Sequence, residues 1–227
     1  MMWVFGYGSL VWKVDFNYEY KVVGYIEGYF RRFYQHSIDH RGTLEKPGRV
    51  VTLIPADDPS SKVWGVAYKI RTEDVEEVTN HLDFREKNGY SKKTVTFYPK
   101  DSNLQPIILT LYVATMDNES YAEDIAKQVI SCSGPSGSNK EYVYNLATAM
   151  RQLFPGVEDE HLFTLETACL TNHVKPKNFS LIFSVVSNLR GNIDCLEIFA
   201  YVQNVYLRTI YACLENGSQS QKSVKRT

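Results

Sequence analysis

Runs of β-branched and aromatic residues separated by turn residues dominate the first half of the chain, a pattern typical of strands. Lys-Pro-Gly at residues 46–48 and Asp-Asp-Pro at residues 57–59 mark two of the turns between these runs. The pattern predicts strands over residues 3–5, 22–33, 49–54, 63–70, 94–97 and 107–113.

Apolar residues spaced three and four apart predict helices between and after these strands. The first helix carries Val75, Val78 and Leu82 on one face, with Thr72 as its N-cap and an end near residues 88–89. Further helices are predicted over residues 121–130, 141–153 and 158–165. Strands followed by helices predict an α+β protein, with a mixed, closed or nearly closed β-barrel and helices packed outside it.

Composition restricts the partners of such a fold. The 227 residues are 44% hydrophobic, which suits one globular domain with a sizeable core. The net charge of -1 does not favour nucleic acid or an acidic membrane as a partner. The most apolar segment, residues 193–214, contains Asp194, Glu197 and Arg208, so no membrane span is expected. Four cysteines without a CxxC pair or a secretory leader indicate reduced thiols and a cytosolic location.

The stretch Phe-Gly-Tyr-Gly-Ser-Leu at residues 5–10 is the first candidate for chemistry. Two glycines directly after an apolar run let the backbone turn and present amide N–H groups to an anion or a developing oxyanion. For an isolated pair of glycines, a simple connecting turn is the favoured explanation. A dinucleotide fingerprint is excluded because Val11 stands where the third glycine belongs, and the chain has no P-loop.

Three further stretches accompany this loop: Leu-Asp-Phe-Arg-Glu-Lys at residues 82–87, a basic and glycine-containing segment at 35–49, and Gly-Pro-Ser-Gly at 134–137. Together, and in this order, they resemble the ChaC family of γ-glutamylcyclotransferases over residues 2–166, most closely its smaller animal type. The resemblance implies the γ-glutamylcyclotransferase-like barrel fold. It also implies cleavage of glutathione to 5-oxoproline and cysteinylglycine, without a metal or another cofactor.

The implied reaction is an intramolecular attack by the substrate's own α-amino group on its γ-carbonyl carbon. The protein must therefore hold a folded substrate and remove a proton from the amine. The resemblance assigns this general acid/base role to Glu86, and desolvation is expected to raise the pKa of its carboxyl toward neutrality. A helix-end glutamate paired with Arg85 or Lys87 is the structural alternative.

The resemblance also implies a set of substrate-binding residues. Backbone amides of the opening loop would hold the γ-glutamyl group, and the Tyr142 hydroxyl would reach it. Two further candidates come from the residues themselves. Arg41 would bind a substrate carboxylate through its forked donors, or it only ties its loop together with Asp39, and Glu77, on the helix before Glu86, is a second-tier candidate. Tyr7 is also compatible with packing. The expected substrate-binding residues are Val4, Phe5, Gly6, Tyr7, Gly8, Ser9, Leu10, Arg41, Glu77 and Tyr142.

No metal site is expected. His36, Asp39 and His40 are crowded into one loop without a distant partner motif, and we interpret them as hydrogen-bonding residues. Glutathione is the expected small-molecule partner, and we expect a monomer.

Residues 167–227 depart from the resemblance. We interpret them as a divergent C-terminal extension, from an alternative splice or an incorrect gene model, and expect residues 218–227 to be disordered. Apolar positions between Leu196 and Cys213 fit a helical stripe. A non-catalytic interaction protein, with the same scaffold and a partner-binding C-terminal helix, is therefore a second hypothesis. The enzyme hypothesis is favoured because the opening loop and Glu86 are both present.

Overall fold

The computed structural model of the protein describes residues 2–85, 90–114 and 122–173. The strands are β1 Met2–Gly6, β2 Tyr20–Glu27, β3 Tyr29–Ser37, β4 Gly48–Pro55, β5 Lys62–Ile70, β6 Tyr90–Pro99, β7 Ile107–Ala114, β8 Ser133–Gly134 and β9 Gly137–Ser138. The helices are α1 Val75–Arg85, α2 Ala122–Ser131, α3 Asn139–Leu153 and α4 Glu160–His173. This content confirms the α+β class.

Five strands close into a barrel in the order β1-β5-β2-β6-β7. Neighbouring strands are antiparallel except β1 and β7, which run parallel and meet where Val4 pairs with Thr110. Phe5 of β1 and Phe97 of β6 are buried, with ring centroids 5.7 Å apart. The predicted barrel is therefore confirmed as a closed one, and β3 and β4 form a separate antiparallel ribbon.

The predicted strand over residues 22–33 is wrong as a single element. Gly28 has φ +80°, a conformation that glycine adopts readily, and the chain turns there from β2 into β3. The predicted N-cap is also wrong, because Thr72 lies inside a 3-10 turn (Thr72–Asp74) that leads directly into α1. The predicted end of this helix, near residues 88–89, lies outside the described residues.

Helices α2, α3 and α4 pack against one another and against the β3–β4 ribbon. Their buried faces carry Ile125, Val143 and Leu165, each fully buried. Glu166 of α4 is buried too, and its carboxylate accepts two hydrogen bonds from the Arg151 guanidinium of α3, one of 3.0 Å. A buried carboxylate needs such a partner. This packing fixes the position of α3, which reaches the functional cleft.

The described helices do not include one with the length and apolar character needed to cross a membrane. Cys132 and Cys169 are buried free thiols, whereas Cys195 and Cys213 lie outside the described residues. The predicted C-terminal helical stripe and the expected disordered residues 218–227 also lie outside them.

His161 of α4 connects the helices to β3 as a neutral imidazole. Its Nε2 accepts the backbone N–H of Phe33 at 3.0 Å, and the two rings stack with centroids 6.0 Å apart. Burial lowers the pKa of His161 to about 4, and the positive charge of Arg32 contributes in the same direction. The folded protein therefore resists protonation of this residue.

We expect His161 to make the folded state sensitive to acid. An unfolded histidine titrates near 6.5, so between about pH 6.5 and 4 the unfolded chain binds a proton that the folded chain does not. The contribution of His161 to the free energy of unfolding is complete above this range. It declines by roughly 3 kcal/mol as the pH falls through the range. Urea unfolding at several pH values measures it, with His161→Gln as the comparison, since the glutamine side-chain oxygen can still accept the Phe33 N–H. Parallel pH profiles for the two proteins would contradict the assignment.

Candidate active site

An open cleft of about 700 Å³ brings together segments that are far apart in the chain. The loop after β1 forms one wall, the end of β3 and the loop after it another, and α1, β7 and the first turn of α3 complete it. Its lining comprises Val4, Phe5, Tyr7, Gly8, Ser9, Leu10, Trp12, Lys13, Asp15, Gln35, His36, Ser37, Ile38, Asp39, His40, Arg41, Val50, Val51, His81, Leu82, Tyr112, Ser136 and Tyr142.

The loop after β1 turns immediately after its second glycine. The backbone N–H of Val11 donates to the Gly8 carbonyl at 3.0 Å, and a 3-10 turn runs over Ser9–Val11. A Cβ on Gly8 would lie 2.8 Å from the Tyr142 hydroxyl and 2.9 Å from Cγ2 of Val51. Only glycine allows the loop backbone to approach the tyrosine hydroxyl this closely.

Tyr142 lies in the first turn of α3, and its ring is held on two sides by aromatic residues. The Trp12 ring contacts it edge-on with centroids 5.1 Å apart, and the Phe33 ring does so at 5.9 Å. Because the side chain is only 6% exposed, its hydroxyl stays beside Gly8. The structure thus joins the two most distant parts of the predicted site, residues 4–10 and Tyr142.

Arg41 is buried and lines the cleft from the loop after β3. Its Nη1 donates to the backbone carbonyl of Ser138 at 3.0 Å and to Oε2 of Glu141 at 3.1 Å. Its guanidinium carbon lies 5.6 Å from the centroid of the Tyr142 ring. Arg41 therefore does tie its loop to the first turn of α3, and the same side chain contributes a positive charge to the cleft wall.

The hairpin formed by β8 and β9 supports this arrangement and was not predicted. Its Gly134 packs directly on the loop after β3, where a Cβ would lie 2.5 Å from the His40 carbonyl oxygen and 2.6 Å from the Gly42 nitrogen. The backbone N–H of Ser136 donates to the His40 carbonyl at 2.9 Å. The Gly-Pro-Ser-Gly stretch was the available signal for this contact.

Two tyrosines connect the barrel to the cleft. The buried Tyr7 donates its hydroxyl proton to the backbone carbonyl of Tyr112 at 2.8 Å. The Tyr112 hydroxyl lies 3.2 Å from Oδ1 of Asp83 in α1. Sequence reasoning missed Tyr112 and Asp83. Their contact joins β7 to α1 between residues 29 positions apart in the chain, and the local sequence offers no signal for it.

Most of the predicted site residues line this one cleft, namely Val4, Phe5, Tyr7, Gly8, Ser9, Leu10, Arg41 and Tyr142. Gly6 lies behind the lining, where a Cβ would be 2.7 Å from Cβ of Leu10. Glu77 is exposed in the first turn of α1 and is not part of the cleft lining. Glu86 lies outside the described residues, although Leu82, four residues earlier, lines the cleft.

His40, in the cleft wall, lies within hydrogen-bonding distance of a serine hydroxyl. Nδ1 of His40 lies 3.2 Å from the Ser136 hydroxyl oxygen. Within residues 2–85, 90–114 and 122–173, no group of three or more His, Cys, Asp or Glu side chains could hold a metal ion.

Comparison with known proteins identifies the class to which this fold and cleft belong. The family model described as ChaC-like protein matches residues 2–172, and the chain belongs to this family.

Two curated relatives, from Danio rerio and Rattus norvegicus, are both named glutathione-specific gamma-glutamylcyclotransferase 1. The first is 47% identical over 74% of this chain and 89% of its own length. The second is 48% identical over 71% of this chain and 75% of its own length.

A crystal structure of the γ-glutamylcyclotransferase specific to glutathione from yeast has the same fold. It superposes with a TM-score of 0.69 at 31% identity, covering 75% of this chain and 96% of the yeast chain. The predicted γ-glutamylcyclotransferase-like fold is thereby confirmed.

Proposed function

We propose that the protein is a glutathione-specific γ-glutamylcyclotransferase of glutathione catabolism. The observation that carries this proposal is the contact between Gly8 and the Tyr142 hydroxyl in a cleft that Arg41 also lines. A glycine-lined backbone, a fixed hydroxyl and a cation are what a zwitterionic γ-glutamyl peptide requires. The names of the curated relatives support the same reaction and substrate.

The reaction needs no nucleophile from the protein. The α-amino nitrogen of glutathione attacks its own γ-carbonyl carbon and forms a five-membered ring, while the bond from that carbon to the cysteine nitrogen breaks. Counted from the neutral amine, one proton leaves the attacking nitrogen as the ring closes, and one is taken up by the departing nitrogen of cysteinylglycine. Well-oriented intramolecular attack has an effective molarity of about 10⁵–10⁸ M, so holding the γ-glutamyl group folded is a large part of catalysis.

We assign the holding of the γ-glutamyl group to the loop after β1 and to Tyr142. Backbone N–H groups that surround a developing oxyanion stabilise the transition state more than the ground state. The Tyr142 hydroxyl can both donate and accept a hydrogen bond. Trp12 and Phe33 already fix its ring, so little rotational freedom is lost when substrate binds.

We assign recognition of a substrate carboxylate to Arg41. The guanidinium carries five N–H donors, and the hydrogen bonds to Ser138 and Glu141 both come from Nη1. Glu141 is 56% exposed at its side chain, so its ion pair with Arg41 contributes little and can yield to a substrate carboxylate. Glu77 is exposed and does not line the cleft, so it keeps only a second-tier place in this proposal.

We assign general acid and base catalysis to Glu86. A free α-amino group titrates near 8, so a carboxylate must take its proton before attack and can then return one to the leaving amine. Support comes from Leu82, which lines the cleft four residues earlier. Leu82 and Glu86 are four residues apart, so at most about 14 Å of chain separates their backbones.

The remaining parts of the proposal follow from the same reaction. The few unpaired cysteines of the chain support a cytosolic location, and the reaction itself requires no cofactor; a monomer stays the expected state. We propose that residues 1–166 carry the catalytic motifs and that residues 167–227 follow as an extension, whose first residues still belong to α4 (Glu160–His173) and to the family match, which ends at residue 172. No observation on the described residues favours the non-catalytic alternative.

Product analysis tests the proposal. Purified protein incubated with glutathione is expected to release 5-oxoproline and cysteinylglycine in equal amounts, measured by mass spectrometry. γ-Glutamyl dipeptides and γ-glutamyl-lysine derivatives lack the cysteinylglycine half. They should react at least tenfold more slowly, because one or two hydrogen bonds to that half are lost. A folded sample that forms no 5-oxoproline would remove the enzyme assignment, and equal rates on all substrates would remove the specificity.

A further inference from the structure

A second open pocket, of about 450 Å³, lies between the strands and α4, and its described lining residues are all different from those of the cleft. One wall comes from β3 and β5, and the other from α3, the chain after it and the start of α4. The buried Phe33 separates the two cavities. Its ring stacks on His161 of the pocket at 6.0 Å and contacts Tyr142 of the cleft at 5.9 Å. The pocket has the volume of a small-ligand site, and the proposed reaction does not use it.

The two walls of this pocket are joined by Arg31, whose side chain is only 1% exposed. Its Nη1 donates to Oδ2 of Asp159 at 2.7 Å, and its Nη2 donates to the backbone carbonyl of Trp64 in β5. The other carboxylate oxygen of Asp159 accepts the backbone N–H of Leu162 at 3.2 Å, as a cap of α4. Arg31 and Asp159 thus neutralise each other, and neither contributes net charge to the pocket.

The remaining charges of the lining lie on opposite walls. Arg32 and Lys62 belong to the strand wall, and Glu158 and Glu160 to the wall at α4. Within the part of the chain that the structure describes, none of the four has an ion-pair partner. The two cations instead lie over aromatic rings of β3 and β2, with ring centroids 4.7 Å and 4.3 Å away. The pocket therefore has a cationic wall and an anionic wall, both of them unpaired.

His161 adds a neutral hydrogen-bond donor to the lining. Its Nε2 accepts the backbone N–H of Phe33 at 3.0 Å, so the proton of the neutral ring lies on Nδ1. Burial lowers the pKa of His161 to about 4, and the ring is neutral at physiological pH. Among the described residues, Nδ1–H has no acceptor. A carbonyl oxygen of a ligand would supply the missing acceptor.

We propose that this pocket binds a zwitterionic dipeptide, with the peptide carboxylate at Arg32 and Lys62 and the peptide ammonium at Glu158 and Glu160. A simple anion or cation would be attracted by one wall and repelled by the other, whereas a zwitterion is attracted by both. Two residues separate the terminal charges by up to about 7 Å. Their peptide carbonyl can accept from Nδ1–H of His161, which a free amino acid cannot reproduce.

The inference goes beyond the proposed function and does not depend on it. Cysteinylglycine, which the proposed reaction releases, is one zwitterionic dipeptide. Glycylglycine carries the same terminal charges without a thiol or a γ-glutamyl group. It is therefore the probe that separates binding in this pocket from binding of a substrate.

The three tryptophans of the chain report which cavity a peptide occupies. Trp64 lines the pocket, Trp12 lines the cleft, and Trp3 lines neither. In protein labelled with 5-fluorotryptophan, the signals are assigned with Trp3→Phe, Trp12→Phe and Trp64→Phe. Glycylglycine should shift the ¹⁹F signal of Trp64 and leave the other two in place. A ligand of this size supports a Kd of about 1 mM.

Two blocked peptides test the terminal charges separately. N-acetylglycylglycine lacks the ammonium, and glycylglycinamide lacks the carboxylate. Each should bind about 3- to 10-fold more weakly than glycylglycine, the value of one or two charged contacts at a partly exposed site. The double substitution Glu158→Gln and Glu160→Gln should remove the preference over the acetylated peptide and keep the preference over the amide. Lys62→Gln should reduce the preference over the amide alone.

The matched control is Lys21→Gln, an exposed lysine outside both cavities, which should leave all three affinities unchanged. Melting temperatures measured in parallel establish that each variant is folded. A purely structural defect would weaken all three peptides alike, and this result from the charge variants would overturn the proposal. Equal affinities of the three peptides for the native protein would do the same.

The remaining outcomes separate this inference from the proposed function. A Trp64 signal that does not move at about twentyfold the expected Kd overturns the inference, as does a shift confined to Trp12, which would locate the peptide in the cleft. Neither result affects the assignment of the reaction. Conversely, a folded protein that binds glycylglycine at Trp64 and forms no 5-oxoproline would leave this site established and remove the proposed enzyme activity.

Discussion

Glu86→Gln should lower kcat on glutathione by about 10²- to 10⁴-fold, the usual contribution of a positioned general acid or base. Glutamine has nearly the same size and can accept a hydrogen bond, but it cannot take the proton of the attacking amine. The melting temperature should stay nearly unchanged, because an uncharged side chain of the same shape removes only the ionisable group. Steady-state formation of 5-oxoproline and thermal unfolding measure the two quantities.

The matched control is Glu76→Gln in the first turn of α1. Glu76 is exposed and does not line the cleft, so this substitution makes the same chemical change ten residues earlier in the chain, away from the cleft. It should leave kcat and KM at their native values. A Glu86→Gln variant that keeps more than about a tenth of native kcat would mean that another group carries the proton.

Gly134→Ala should damage both stability and activity, because backbone packs on backbone at this position. The new Cβ would overlap the His40 carbonyl oxygen and the Gly42 nitrogen, neither of which can rotate away. Overpacking of this kind costs about 1–3 kcal/mol, which corresponds to roughly 2–12 °C in melting temperature. The β8–β9 hairpin would separate from the loop that carries Arg41, and kcat/KM should fall by about 10- to 100-fold.

Gly156→Ala is the control for a loss of stability without a change at the cleft. Gly156 has φ +82° and no atom within 4 Å of a Cβ, so alanine there introduces backbone strain and no overlap. It should lose about 1–2 kcal/mol of stability and keep native kcat/KM. If both variants lose activity in proportion to their stability, the hairpin has no specific role in the site.

The strand pattern predicted the barrel because each strand carries its own alternation of β-branched and aromatic residues. The break between β2 and β3 could not be predicted, since the run contains two glycines that look alike in the sequence. Gly24 lies inside β2, where a Cβ would be 2.2 Å from the Tyr98 carbonyl oxygen, whereas Gly28 turns the chain with a positive φ. The difference between the two glycines depends on the position of β6 beside β2, which the local sequence does not show.

The candidate site was predictable where its residues are consecutive and poorly predictable where they depend on pairing between strands. Residues 4–10 are one continuous sequence motif, and they form one wall of the cleft. Arg41 and Tyr142 also lie in recognisable sequence motifs. Tyr112 is one of sixteen tyrosines, and its role depends on its register partner Lys92 and on contact with α1. Glu77 precedes the proposed catalytic residue Glu86 in sequence, yet the helix leaves Glu77 exposed.

The most direct test of the central claim, that the substrate's own amine closes the ring in this cleft, is product analysis in H₂¹⁸O. Intramolecular attack consumes no water, so 5-oxoproline and cysteinylglycine should form in equal amounts, both without ¹⁸O, and the Glu86→Gln protein should form neither above background. Release of glutamate carrying ¹⁸O in its side-chain carboxylate would show hydrolysis by water and would contradict the account.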